Sequence, residues 1–323
     1  MYRRILVPLD GTRFGDHALP YAVEIARLTG ASIELLHVHH HRELDTNLAV
    51  MPQYRFQQVM EADLEHDDAV LETARAALEQ KAADMELRYG VQVRTQIVTG
   101  RTGDAVVQEA REIVADLIVM STHARQGLAR LREGSVAHEL ISQLNVPALC
   151  VRTPEEDAPL ITAPLKRVLI ALDGSAFSEQ VLDAVLPLVT GPDVQPTLLH
   201  IVASRPMLSS GLTESRRPPA NRDQALSYLQ DVAVRYRGRM QEPVLVAIDY
   251  MDPAPGIATL LAAGEYDLVA MATHGRSGLN RLLMGSVAET VLRSTDRPVL
   301  LYRPRLERLP TDNFADAFRI YGE

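Results

Sequence analysis

Arg4-Ile5-Leu6-Val7-Pro8-Leu9-Asp10-Gly11-Thr12 stands near the start of the chain, and Arg167-Val168-Leu169-Ile170-Ala171-Leu172-Asp173-Gly174-Ser175 repeats it 163 positions later. Each stretch is a short apolar run that reads as a buried strand ending in an Asp-Gly turn. Leu35-Leu36-His37-Val38 returns at the same offset as Leu198-Leu199-His200-Ile201. Further on the offset falls to 151. Asp116-Leu117-Ile118-Val119-Met120-Ser121-Thr122-His123 matches Asp267-Leu268-Val269-Ala270-Met271-Ala272-Thr273-His274. Gly134-Ser135-Val136-Ala137 matches Gly285-Ser286-Val287-Ala288, and Pro147 matches Pro298. So many blocks in one order make the chain a tandem repeat, with the second copy 12 residues shorter in its middle.

Within the first copy the pattern predicts strands near 3–9, 32–38, 92–98, 116–121 and 147–152. Helices are predicted near 15–29, 67–89, 103–114 and 135–144. Strands that alternate with helices, and that are almost continuously apolar, belong to a parallel sheet covered on both faces. The expected fold class is therefore α/β, with two tandem, doubly wound, five-stranded parallel sheets of Rossmann-like type. Ligand crevices should lie at the carboxyl ends of the strands. The expected division is residues 1–153 for the first domain, 154–165 for an acidic, Pro-bearing linker, 166–304 for the second domain and 305–323 for a tail. In that tail Phe314, Phe318 and Tyr321 share one face of a short helix, read here as docking on the protein's own surface.

Composition narrows the function classes. Of the 323 residues 46% are hydrophobic and 23% charged, the balance of a globular protein. A net charge of −9 argues against general binding to nucleic acid, which needs a basic surface to displace counterions. The single cysteine, Cys150, allows no intramolecular disulfide and reads as a small apolar strand residue. No apolar run has the length of a spanning helix or a signal peptide, so a cytoplasmic location is expected.

The stretch Met271 to Glu289 carries the chemistry. A buried strand end, a Gly-bearing loop and a helix N-terminus together supply free N–H groups and a positive dipole end, the requirements for cradling phosphate. Gly275 and Gly285 would permit positive φ and close backbone approach, and the Ser286 hydroxyl would add a donor. Plainer readings stand beside these. Ser286-Val287-Ala288-Glu289 has the form of a capping box, so Ser286 could simply start its helix. Gly285 could be only a turn residue, Asp173 and Asp10 could serve only their Asp-Gly turns, and His274 and His123 could pack their loops.

As a set, this spacing resembles the universal stress protein (UspA) family, whose ATP-binding members carry G-x2-G-x9-G-[S/T] here. Gly275, Gly285 and Ser286 match, while Ala272 replaces the first glycine. In the first copy the frame reads Ser121, Ala124, Gly134 and Ser135, with Glu133 beside the expected phosphate position. The resemblance implies an adenine nucleotide α-hydrolase-like fold and ATP, with Mg²⁺, held mainly by the second copy. The nucleotide would meet Ala171, Leu172 and Asp173 on the ribose side, and Ile201 through its backbone at adenine. The loop contacts would come from Met271, Ala272, His274, Gly275, Arg276 and Gly278, and those at the following helix from Gly285, Ser286, Val287 and Ala288. The weaker counterparts in copy one would be Asp10, Val38, Gly134 and Ser135. The resemblance further implies a stress-response role in which occupancy biases conformation or assembly. It also implies pairing of the two final strands, Val146–Arg152 against Arg297–Arg303, and a homodimer of the whole chain.

Other signals are weaker. His37, His39, His40 and His41 invite a metal reading, but a solvated strand end is preferred and no protein metal site is expected. The basic segment Ser204–Arg222 could fold over phosphates or stay a loose loop. There is no Walker A motif and no nucleophile elbow. Arg276 and Arg281 could neutralise charge, yet no residue stands out to orient water, so little or no turnover and no catalytic residue are expected. The alternatives are a nucleotide-free scaffold of the same fold or a slow ATP hydrolase.

Overall fold

A computed structural model describes residues 1–39, 53–123, 140–141, 143, 146–153, 160, 165–203, 219–249, 251–274 and 284–305, with only the backbone over 53–66 and at 123 and 153. In the first copy the elements run β1 (Arg4–Leu9), α1 (Arg13–Asp16), α2 (Leu19–Thr29), β2 (Ser32–His39), α3 (Gln53–Tyr89), β3 (Val93–Thr99), α4 (Thr102–Glu112), β4 (Leu117–His123) and β5 (Ala148–Thr153). The second copy repeats them as β6 (Arg167–Ala171), α5 (Ala176–Glu179), α6 (Val181–Val185), β7 (Gln195–Ile201), α7 (Arg222–Arg235), β8 (Val244–Ile248), α8 (Pro253–Ala262), β9 (Leu268–Ala272), α9 (Ser286–Ser294) and β10 (Val299–Tyr302).

The strands form one sheet in the order β3-β2-β1-β4-β5-β10-β9-β6-β7-β8. Every pairing is parallel except β5 with β10, which run antiparallel with Cys150 opposite Val299, Leu149 opposite Leu300 and Ala148 opposite Leu301. Each half is thus a doubly wound sheet, and the halves join through the strands expected to pair. Alternating side chains build two apolar layers. Ile5, Val7, Ile33 and Leu35 face α2 and α3, while Leu6, Leu36 and Ile118 face the other side, in one cluster with Val106 of α4. Both layers continue across the β5–β10 seam into the second copy. Tyr2 reinforces the seam by donating its hydroxyl to the carbonyl of Ala184, and Arg152 donates to the carbonyl of Arg293 and, at 3.4 Å, to that of Thr295.

Three expectations need correction. The helix read over 15–29 is two helices, because α1 ends at Asp16 and α2 starts at Leu19, with Pro20 in the first turn where its missing N–H costs nothing. The helix read from 67 begins at Gln53. The helix read over 135–144 lies mostly outside the described residues, which show helical backbone at 140, 141 and 143. Among the described residues no helix is long and apolar enough to cross a membrane.

Candidate functional site

The order of strands reverses between β1 and β4 in the first copy and between β6 and β9 in the second, which opens a crevice at their carboxyl ends. In the second copy the chain leaves β6 through Leu172 and Asp173 and turns at Gly174, whose φ of 85° suits glycine. The Asp173 carboxylate accepts from the Ser175 amide at 3.0 Å and the Ser175 hydroxyl at 2.6 Å. Ser175 in turn caps α5 by accepting from the Ser178 amide at 3.1 Å, and the Ser178 hydroxyl accepts from the Asp173 amide at 3.2 Å. The aspartate is therefore held in a closed local net, and the turn function considered for it is real. The first copy repeats part of this net, with Asp10 accepting from the Thr12 amide and hydroxyl at 2.9 and 2.7 Å.

Across from that turn, β9 delivers Met271 and Ala272 beside Ala171 and Tyr302, and then the buried pair Thr273 and His274. The Thr273 hydroxyl and His274 Nδ1 lie 3.0 Å apart, so the histidine packs into its own strand end. The Thr273 carbonyl accepts from the Gly285 amide at 2.7 Å, closing the base of the loop. A Cβ on Gly285 would stand 2.7 Å from that same carbonyl oxygen. Gly285 is thus needed for close approach, as expected. Positive φ is not its reason, since φ is −67° and ψ 147°.

The capping-box expectation for Ser286 is also overturned. Gly285 is the N-cap of α9 and Ser286 the first helical residue, exposed to solvent. Glu289, which a capping box would turn back toward the N-cap, instead accepts from Arg293 at 2.6 Å. The box pattern fails because the short Thr273–Gly285 bond already fixes the entry to the helix one residue earlier. In consequence the amides of Ser286, Val287 and Ala288 make no backbone hydrogen bond among the described residues, while that of Glu289 bonds back to Gly285. Three N–H groups at a positive helix end, with an adjacent hydroxyl, can accept an anion such as phosphate.

Ile201 ends β7 on the same edge, buried, with Gly256 of α8 so close that a Cβ there would meet its Cδ1 at 2.7 Å. The structure therefore gathers Ala171, Leu172, Asp173, Ile201, Met271, Ala272, His274, Gly285, Ser286, Val287 and Ala288 along one edge of the sheet. Gly275, Arg276, Gly278 and Arg281 lie outside the described residues, as do Gly134 and Ser135 in the first copy. Asp10 and Val38 occupy the places of Asp173 and Ile201. Ser121, which stands where the motif has a glycine, donates its hydroxyl to the Gly15 carbonyl at 3.1 Å.

Thr273, Ser178 and the histidine pair His37/His200 were not singled out by motif spacing as members of the strand-edge network. His200 is wholly buried and lies 2.9 Å through Nδ1 from the Leu172 carbonyl, and His37 lies 3.2 Å from the Leu9 carbonyl. Each ties β2 or β7 to the strand end that carries the aspartate. The repeat itself held that signal, since Leu-Leu-His is retained in both copies. His39 Nε2 lies 3.6 Å from Asp67 Oδ1, while His40 and His41 fall outside the described residues. Cys150 is fully buried, which pushes its thiol up to about 12.

Comparison with known proteins agrees with this architecture. A universal stress protein of Mycolicibacterium smegmatis is 26% identical over 308 residues, covering 93% of this chain and 97% of its own. The universal stress protein Slr1230 of Synechocystis is 26% identical over 320 residues, covering 93% and 100%. The crystal structure of a universal stress protein from Archaeoglobus fulgidus superposes with a TM-score of 0.65 at 16% identity, covering 94% of this chain and 97% of that one, which shows a shared fold. The family model for universal stress proteins matches twice, at residues 1–152 and 164–303, and the chain belongs to the universal stress protein family.

Proposed function

We propose that the chain is a stress-response protein that binds ATP, together with Mg²⁺, in its second half, and that occupancy biases its conformation or assembly with little or no turnover. The observation that carries this reading is the start of α9. A glycine whose Cβ-free backbone lies against the Thr273 carbonyl brings the helix to the end of β9 and leaves three amides and the Ser286 hydroxyl available for phosphate. Asp173 and Ile201, on the same edge, suit the ribose and adenine ends. Arg276 and Arg281 supply cations, and no residue singled out in the sequence orients a water for hydrolysis.

Calorimetry with Mg²⁺–ATP on the full chain should show one site, and ATP should raise the melting temperature, since a ligand stabilises the state it binds. Ser286→Ala, which removes one donor, should weaken binding by about 1 kcal/mol, or roughly fivefold, with an unchanged fold. No heat of binding, and no adenine nucleotide released from the denatured purified protein, would sink the proposal. The competing reading is a nucleotide-free scaffold, favoured by the closed net around Asp173, which accounts for the aspartate without a ligand. An ATP-induced stabilisation in the wild type would exclude it.

A further inference from the structure

The two copies differ on the face opposite α4 and α8, where α3 and α7 cover the ends of β1–β2 and β6–β7. In the second copy an aromatic ring occupies that corner. The ring of Tyr228, on α7, meets His200 edge-on with centroids 5.8 Å apart, and its buried hydroxyl stands near the Glu179 carboxylate without a hydrogen bond to it. His200 is wholly buried beneath it.

In the first copy the matching residues are His37 and Asp16, by the 163-residue offset, but among the described residues no aromatic ring lines the space over them. Asp16 pairs with Lys81 of α3, as Glu179 pairs with Arg235 of α7 at 2.7 Å. Lys81 and Ala77 stand where α3 passes over the corner, and a cavity of 530 Å³ opens there. Its floor is Leu9, Gly11 and His37, its roof the alanine-rich side of α3, and Asp16 with Lys81 closes one end. His37 Nδ1 is 3.2 Å from the Leu9 carbonyl, so in the neutral ring that nitrogen carries the proton and Nε2 is left as an acceptor. This is the size and make-up of a small-molecule site: mostly apolar walls with a few convergent polar groups.

What fits is shown by the second copy, which fills its own version with a phenol. We propose that the cavity beneath α3 binds a small uncharged phenolic compound, its ring against His37 and its hydroxyl donating to Asp16. At 530 Å³ the space exceeds a single ring, so a bicyclic or substituted phenol is the matching class. The ion pair leaves no net charge at that end, which disfavours a carboxylate or phosphate ligand. The site shares none of the loop residues or α9 amides of the nucleotide proposal, and stands or falls independently of it.

The probe is 2-naphthol, whose emission can be followed directly because the chain has no tryptophan. Titration of the full chain should saturate at one equivalent. Ala77→Phe should fill the cavity from an exposed helix position, and Ala74→Tyr, seven residues before Lys81 as Tyr228 is before Arg235, should rebuild the plug of the second copy. Each should weaken binding at least about tenfold, with helical content and melting temperature confirming the fold. 2-Methoxynaphthalene, which cannot donate, should bind at least about tenfold more weakly than 2-naphthol. Absence of saturable binding overturns the site. Binding unchanged in the folded Ala77→Phe variant overturns its location, and equal affinity for the methoxy compound overturns the phenol class.

Discussion

Single residues decide how well each copy tolerates the shared backbone. After α4 the amide of Ala115 bonds to the Ala110 carbonyl at 2.8 Å and that of Val114 to the Arg111 carbonyl at 3.2 Å, the paired bonds of a Schellman ending. That ending puts Val114 at φ 53°, a left-handed conformation that costs a β-branched residue about 1–2 kcal/mol. The second copy places Gly264, at φ 77°, in the same role after α8. Val114 is 70% exposed and packs little, so Val114→Gly should stabilise the protein by about 1 kcal/mol. Thermal denaturation checks it, and a lower melting temperature would refute the strain argument. At Gly285 the opposite change should hurt. Gly285→Ala drives a Cβ against the Thr273 carbonyl and should cost about 1–3 kcal/mol of stability while weakening ATP binding. Denaturant unfolding and calorimetry report the two effects separately. Motif spacing pointed to Gly285 with two causes, and only close approach is the one at work. A glycine pattern does not distinguish a need for positive φ from a need for space, because the second depends on where the Thr273 carbonyl comes to lie.

At the scale of elements the strands were legible and the helix ends less so. Buried parallel strands announce themselves as runs of β-branched and aliphatic residues, and each of β1 to β5 lies within two residues of its expected bounds. The first half of α3 was missed because its apolar residues, Phe56, Val59, Met60 and Leu64, are few among many polar ones. The sequence nevertheless held a signal in Pro52 just before it and no further Pro or Gly until Gly90. Strand starts are pinned by acids that no motif pointed to. Asp116 accepts from the amides of Arg3 and Arg4 at 2.8 and 3.0 Å, and Asp267 from those of Lys166 and Arg167 at 3.1 and 2.9 Å. Burial alone would raise the Asp267 carboxyl. The Arg167 side chain at 2.8 Å and the two amides outweigh it and hold the group below its ordinary range. Because the folded value is depressed, the stabilisation is complete above the unfolded carboxylate value and is lost as pH falls through the folded one. Asp267→Asn should therefore lower stability at neutral pH and flatten the acid limb of the stability–pH curve. Urea melts between pH 7 and pH 3 measure this, and parallel curves for the two proteins would contradict it.

For the molecule as a whole, the antiparallel β5–β10 seam joins the two copies into one continuous sheet. An edge strand left open at Ala148–Thr153 or Val299–Tyr302 would be a template for aggregation, and each copy covers the other's edge. The seam also reaches toward the candidate site, because Arg152 of the first copy donates to carbonyls at the end of α9, whose other end carries Gly285 and Ser286. Leu300 and Leu149 face each other across the seam with no exposure, one on each side of the boundary between copies. Truncation of either removes apolar packing shared by both halves, so Leu300→Ala should cost about 2–5 kcal/mol. If the seam couples the halves, hydrogen exchange in β1 and β6 should accelerate together in this variant, and denaturant unfolding should remain one transition. Faster exchange in β6 with β1 unchanged would show two independent domains. That outcome would also remove the physical route by which a nucleotide in the second half could bias the first.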